Sequence, residues 1–289
     1  MNPNILIREH CVITQHNAEI LVPWWSFTKT VIATAALVLV RDKLLALDNP
    51  LPNRNFTLRQ LLRHQAGLAD YGQLADYHAA VARRNQPWPA HEMLQRLDAD
   101  RLRYTPGNGW NYSNVGYLYV RQLIEEITGE YFGDALQRLA LQPLGITEAR
   151  LASTPTDLIN IEMGKTDYDP GWVYHGLIIG SLSDAAFFLY RLLTSNLLPA
   201  ELLKTMQDCH ALNFGPIPGR PWLSPAYGLG LMMGTFENGV ASAGHTGSGP
   251  GSVIGVYHAI KSKQHLTAAS FCLSEDQGVV ERDVMQLLA

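Results

Sequence analysis

The sequence predicts a mixed α/β (α+β) fold: an antiparallel sheet flanked by helices, carrying an all-helical lobe. Three observations predict it. The first residues alternate apolar and polar side chains in strand-length pieces, a long middle follows helical periodicity, and strand-length pieces return after Tyr227 before a closing helix. Strands at both ends of a chain are most simply joined in one antiparallel sheet, with the helical middle packed as a second lobe. The expected organisation is a single domain over 1–289, with a sheet lobe from about 1–45 and 179–289 and a helical lobe over about 46–178.

Residues 5–22 read as two short strands around "QHNAE". A helix is expected from about Ser26 to Leu47, because good helix formers run through it. In "TLRQLLRHQAGL", Thr57 is placed as a cap, the apolar residues keep helical spacing, and Gly67 is the stop. "PAHEMLQRLDAD" and "NVGYLYVRQLIEEITG" follow the same grammar, the second opening at Asn114 and closing at Gly129. A short helix precedes "QPLG", and another follows a Ser183 cap in "SLSDAAFFLYRLLTSN". "YGLGLMMGTF", "GVASAGHTG", "SVIGVYHA" and "HLTAASFCLS" read as four strands, and "DQGVVERDVMQLLA" as the last helix.

Composition narrows the partners. Apolar residues make up 47% and charged residues 17%, with a formal charge of −4 and both signs scattered. Nothing marks a nucleic-acid or acidic-membrane surface, so a small molecule or short peptide is expected. The most apolar run, Val31 to Val40, lies between Lys29 and Arg41 and is about half of the roughly 20 residues of a membrane span. Cys11, Cys209 and Cys272 are too scattered for a disulfide framework or a metal site and read as reduced core thiols. The amino-terminal residues lack a signal-peptide pattern, so a cytoplasmic location is expected, or a periplasmic one if the natural chain starts upstream. No cofactor and no metal are implied: there is no HExxH and no His, Cys and Asp at ligand spacing. His10, His16, His64, His78, His91, His175, His210, His258 and His265 read as surface or satisfied polar residues. Trp24, Trp25, Trp110, Trp172 and Trp222 read as packing.

Three stretches carry candidate chemistry. In "SFTK" the three-residue step from Ser26 to Lys29 puts amine and hydroxyl on one helix face, the arrangement of a nucleophile with an adjacent base. The helix amino terminus adds partial positive charge for an oxyanion, and the apolar run behind Lys29 would lower its pKa from about 10.4. The plainer reading is a serine cap and a snorkelling lysine. In "PGNGWNYSNVGY", Tyr112 and Asn114 stand two apart before a helix, a phenol to share a proton and an amide to hold a substrate, or else a packing tyrosine and a helix cap. In "AGHTGSGPGS" a strand ending in glycines lets its backbone approach a ligand, or simply turns a hairpin. A phosphate loop and an α/β-hydrolase nucleophile elbow are excluded, since neither GxxxxGK[ST] nor GxSxG occurs.

The order SxxK, YxN, then HTG resembles the penicillin-recognising serine hydrolases: class C β-lactamases, D-alanyl-D-alanine carboxypeptidases and family VIII-type esterases. "LLRHQAGLADY" is similar to that family's "LLTHTSGL", and "PGNGWNYSNVGYLYVRQLIEEITG" and "YGLGLMMG" match its neighbouring segments, from about residue 20 to the end. The resemblance implies a β-lactamase/transpeptidase-like fold and a serine hydrolase acting through an acyl-enzyme on an ester, amide or lactam. It makes Ser26 the nucleophile, Lys29 its proton partner, and Tyr112 the base for deacylation and the acid for the leaving group. Asn114 would hold the substrate carbonyl or amide, His245 and Thr246 would line the other wall with Gly247, and the N–H groups of Ser26 and Ser248 would form the oxyanion hole.

Three departures bear on substrate. His245 stands where the β-lactamases have lysine, and a mostly neutral imidazole holds a carboxylate less firmly, which favours esterase or peptidase activity over efficient β-lactamase activity. Trp25 precedes the nucleophile where the family usually has a small residue, and shapes the pocket or packs outward. The helix that commonly precedes the first strand is not read. The competing function is a catalytically silent penicillin-binding-like sensor or binding module; retention of Ser26, Lys29, Tyr112 and Asn114 argues against it.

Overall fold

The computed structural model describes every residue except Thr166, Phe214 and Pro216. The chain opens with a hairpin of β1 (Asn4–Arg8) and β2 (Cys11–His16), turned through the left-handed residues Glu9 and His10. Ile5 and Ile7 of β1 are buried, whereas β2 is exposed at every residue because it forms the sheet edge. β3 (Leu21–Pro23) leads through a 3-10 turn, Trp25–Phe27, into α1 (Thr28–Arg41). The helix stops six residues before the expected Leu47. Lys43 adopts φ +61, and its N–H and that of Leu44 reach back to Val40 and Leu39, a Schellman closure with lysine at the position usually held by glycine.

Next come α2 (Leu58–Leu62), α3 (Ala75–Ala82), α4 (Ala90–Arg96) and α5 (Asn114–Thr128). Thr57 caps α2 in a box with Gln60, but the helix ends well before Gly67, which instead lets the Tyr104 carbonyl pack closely. The bounds of α5 agree with the sequence reading, with Ser113 accepting from the Gly116 N–H and Gly129 closing at φ +67. α6 (Phe132–Leu136) runs on through a π turn and a 3-10 turn to Leu144.

β4 (Arg150–Ala152) and β5 (Leu177–Ser181) join β3 in a small antiparallel sheet ordered β3-β5-β4. The sequence did not foretell it, because β3 and β4 have only three residues each and the five residues of β5 are all buried, so none shows a period. α7 (Leu182–Thr194) is capped by Ser181, whose Oγ accepts from the Asp184 N–H, and Ser183 lies inside the helix.

The chain finishes with α8 (Ala200–Gln207), β6 (His210–Ala211), β7 (Trp222–Tyr227), β8 (Met232–Phe236), β9 (Ala241–Gly249), β10 (Ser252–Lys261), β11 (Gln264–Cys272) and α9 (Gln277–Leu287). "YGLGLMMGTF" is therefore the end of one strand, a turn and a second strand. The main sheet runs β2-β1-β11-β10-β9-β8-β7-β6, so the two ends of the chain meet at the β1–β11 pair. Alternation along β10 sends Ile254 and Val256 to the core shared with α1 and α7, and Tyr257 and Ala259 to the core under α9. Cys11 and Cys209 are exposed and Cys272 is half-buried, which corrects the reading of core thiols: Cys11 opens the exposed edge strand. Among the described residues no helix is long and apolar enough to cross a membrane.

Candidate active site

Ser26 sits in the turn ahead of α1, and Lys29 one turn on along the same face brings its Nζ to 2.9 Å from Ser26 Oγ. The Ser26 hydroxyl caps no helix, which sets aside the capping role. Trp25, just before it, has φ +42, a region a bulky side chain enters only when its surroundings force it. Here Trp25 is buried, its Nε1–H donates to Ser252 Oγ at 3.0 Å and its ring meets Tyr168 edge-on at 5.6 Å. β9 presses on the same turn without side chains. A Cβ on Gly247 would lie 2.6 Å from the Trp24 carbonyl and 2.9 Å from the Ser26 nitrogen, and one on Gly249 would lie 2.5 Å from the Trp25 ring. Trp25 therefore forms part of the cleft wall, held against a glycine strand, and turns the backbone that presents Ser26.

Burial dominates the electrostatics. The Lys29 ammonium is fully enclosed by α1 and its neighbours, which lowers its pKa to about 7; the nearby Asp70 carboxylate pulls the other way. An amine free to take a proton at neutral pH results. Lys29 lies over the Tyr112 ring, with Nζ 5.1 Å from the ring centroid, and the Tyr112 hydroxyl faces Ser26. Burial raises the phenol above its ordinary value, more than Ser26 lowers it, so the group is protonated and acts as a donor. Asn114 starts α5, and its backbone N–H and its Nδ2–H both donate to Asp70 Oδ1 at 2.9 Å. One face of the amide is thus committed to holding the residue in place.

β9 forms the opposite wall. β8 pairs with it only over Ala241–Gly244, so from His245 to Gly249 it extends past the end of its neighbour. His245 is buried and neutral: Nδ1–H donates to the Thr246 carbonyl at 2.7 Å, so Nε2 accepts from the Tyr227 hydroxyl at 2.8 Å. Desolvation, reinforced by Lys29, pushes its pKa down to about 3. Thr246 alternates to the other face, where its hydroxyl donates to Glu281 Oε1 at 2.5 Å and is bonded to the Tyr257 hydroxyl at 2.7 Å. Arg220 closes this network with two bonds to the buried Glu281. Ser248 Oγ accepts from Gln277 Nε2 at 2.9 Å. Neither His245 nor Thr246 keeps a spare donor for an anion.

Ser26, Tyr112, Asn114, His245, Thr246, Ser248, Gly249 and Trp25 line one cleft of about 1020 Å³, beside Tyr71, Tyr168, Arg220 and Met233. Three further residues belong to this site and were not singled out in the sequence. Asp70 fixes Asn114. His64 Nδ1 accepts from the Ser113 N–H at 3.1 Å, and its ring lies 4.3 Å from that of Tyr112. His175 Nε2 lies 3.1 Å from Lys29 Nζ. His64 and His175 are buried, not surface residues. Asp70 and His64 lie within "LLRHQAGLADY", so the stretch was visible although these roles were not; for His175 no sequence pattern gives a signal. Among the described residues no group of three or more His, Cys, Asp or Glu is arranged to hold a metal ion.

The chain has relatives. Penicillin-binding protein 4* of Bacillus subtilis is 30% identical over 108 residues, 35% of this chain and 22% of that protein. A lovastatin esterase of Penicillium rubens is 26% identical over 185 residues, 54% of this chain and 46% of its own. The matches thus span less than half the length of these relatives. The solved D-amino acid amidase of Ochrobactrum anthropi SV3 superposes with a TM-score of 0.79 over 99% of this chain and 91% of that one, at 20% identity, and so shares the fold. The sequence model of the Beta-lactamase family matches residues 13–270; the chain belongs to that family.

Proposed function

We propose that the protein is a serine hydrolase that cleaves uncharged esters or amides through an acyl-enzyme on Ser26. The observation that carries the reading is the approach of Lys29 Nζ to 2.9 Å from Ser26 Oγ, by an amine whose burial brings its pKa to about 7. As Ser26 Oγ bonds to the carbonyl carbon, its proton passes to Lys29 Nζ and the carbonyl π pair moves onto oxygen. The N–H groups of Ser26 and Ser248 stabilise that oxyanion. Collapse expels the leaving group, which takes a proton from Tyr112, and Tyr112 is reprotonated from Lys29. Water then attacks the acyl carbon, giving up its proton to the Lys29 and Tyr112 pair, and as the bond to Ser26 Oγ breaks that proton passes to Oγ, which releases the acid and restores the Ser26 hydroxyl.

Asn114 holds the substrate amide or carbonyl, and β9 from His245 to Ser248 aligns it along its backbone. The cleft lies between a sheet lobe, about 1–45 and 179–289, and a helical lobe over about 46–178. The substrate is a small molecule or short peptide. Names of relatives on both the ester and the amide side, lovastatin esterase and D-amino acid amidase, are in keeping with this range.

The His245 and Thr246 wall supports a preference against lactams that carry a carboxylate. One ring is neutral with both nitrogens bonded, and one hydroxyl already donates to Glu281. The test compares kcat/KM for p-nitrophenyl acetate and butyrate with that for a chromogenic cephalosporin, in the wild type and Ser26→Ala. Turnover of the esters, lost in Ser26→Ala, with little or no cephalosporin hydrolysis is expected. A cephalosporin preferred over the esters, or ester turnover surviving in Ser26→Ala, overturns the reading.

A further inference from the structure

His175 is a buried histidine for which the chemistry above has no use, yet it touches the general base. It stands two residues before β5 and borders the same cleft as Ser26 and His245. Its Nε2 is 3.1 Å from Lys29 Nζ, and its Nδ1 is 3.4 Å from the Tyr71 hydroxyl. Lys29 thus has two near polar neighbours at similar distance, Ser26 Oγ and His175 Nε2.

A neutral amine has one lone pair and two N–H bonds, so the partner that takes an N–H decides where the lone pair points. If His175 carried its proton on Nε2, it would donate to the lone pair of Lys29 and remove the base from Ser26. If it carries the proton on Nδ1, Nε2 accepts an N–H from Lys29 and the lone pair is left for the Ser26 hydroxyl. We propose that His175, as the Nδ1–H tautomer, is the positioning residue that aims the Lys29 lone pair at Ser26 and then accepts a hydrogen bond from the ammonium formed on acylation. The assignment rests on the hydrolase reading above.

The surroundings keep His175 in that role. It is 3% exposed, and both desolvation and the Lys29 charge hold its pKa well below the ordinary value, so it stays an acceptor when Lys29 gains a proton. The other titratable groups facing this pair are Tyr112 and Tyr117, whose rings lie under Lys29, Asp70, whose charge favours the ammonium, His64 and His245, and Arg121 on the His175 side. None of them supplies Lys29 with an alternative neutral acceptor of fixed direction, which is what the imidazole provides.

The test has two arms. In the wild-type protein, ¹⁵N-correlated NMR of the imidazoles reads the tautomer of His175 directly; Nδ1–H is expected, and Nε2–H overturns the assignment without touching the hydrolase reading. In the second arm the rate at which a fluorophosphonate labels Ser26 is followed against pH for wild type, His175→Phe and His175→Gln. His175→Phe keeps the ring volume without an acceptor. Labelling is expected to slow by about 10²-fold, and the acidic limb to move to lower pH because the ammonium has lost an acceptor. His175→Gln offers an amide oxygen and is expected to recover most of the rate and the position of the limb. His175→Phe labelling at the wild-type rate with an unmoved limb overturns the assignment and leaves the hydrolase reading standing. A wild-type Ser26 that never labels sinks the hydrolase reading and the assignment with it.

Discussion

Replacing Lys29 with methionine should make the protein more stable, by an amount that depends on pH. Burial lowers the Lys29 pKa from 10.5 to about 7, and at about 1.4 kcal/mol per pKa unit the gap corresponds to about 5 kcal/mol. Between those two values the unfolded chain holds a proton that the native protein does not, so native stability rises with pH across that window. Below pH 7 the lysine is protonated in both states and the full penalty applies. At pH 7 about 4 kcal/mol of it remains, and at pH 9 about 2 kcal/mol.

Methionine carries no such penalty, but the variant loses the contacts of Lys29 with Ser26 and His175 and leaves the imidazole without its partner, together about 1–3 kcal/mol. Lys29→Met is therefore expected to gain about 1–3 kcal/mol at pH 7, and its advantage to shrink by about 2 kcal/mol by pH 9, while activity disappears. Urea unfolding midpoints of both proteins at pH 7, 8 and 9 measure this; the lost contacts do not titrate in that range, so they drop out of the trend. A stability difference that stays constant or widens with pH would refute the claim that Lys29 is a destabilised amine held for chemistry.

Other outcomes follow from the same contacts. Gly247→Ala puts a methyl 2.6 Å from the Trp24 carbonyl and 2.9 Å from the Ser26 nitrogen; backbone must move, so kcat/KM for ester hydrolysis should fall about 10²-fold in a protein that still folds. Asp70→Asn removes the charge that favours the Lys29 ammonium, so the acidic limb of the kcat/KM profile should move to lower pH; a move to higher pH contradicts the assignment. Glu281→Gln leaves the Arg220 guanidinium without its carboxylate beside the cleft. It should lower stability by about 3 kcal/mol in thermal or chemical unfolding and lower KM for a carboxylate-bearing cephalosporin relative to a neutral ester.

The parts of the site that were legible in the sequence are those carried by local patterns. SxxK encodes a helical spacing, and α5 announces itself through Asn114 and Gly129, although the cap proves to be Ser113 rather than Asn114. The glycines of "HTGSG" mark a strand that something approaches closely, and that something proves to be the turn holding Trp25 and Ser26. What was not legible depends on contacts far apart in the chain. His175 reaches Lys29 across 146 residues and Asp70 reaches Asn114 across 44, with no spacing rule to join them. The burial of Thr246 against Glu281 depends on where α9 packs. The three-stranded sheet shows no alternation, because β3 and β4 are too short and β5 is buried throughout. The end of α1 escaped because Lys43 does the work of a glycine, and the α7 cap was misplaced because Ser181 and Ser183 are equally good cap residues two apart.

The most direct measurement is the intact mass of the protein after exposure to a fluorophosphonate, with peptide mapping of the adduct and Ser26→Ala as control. Addition of one phosphonyl group, mapped to Ser26 and absent from Ser26→Ala, is the predicted result. No adduct, or an adduct of equal yield in Ser26→Ala, would contradict the acyl-enzyme account.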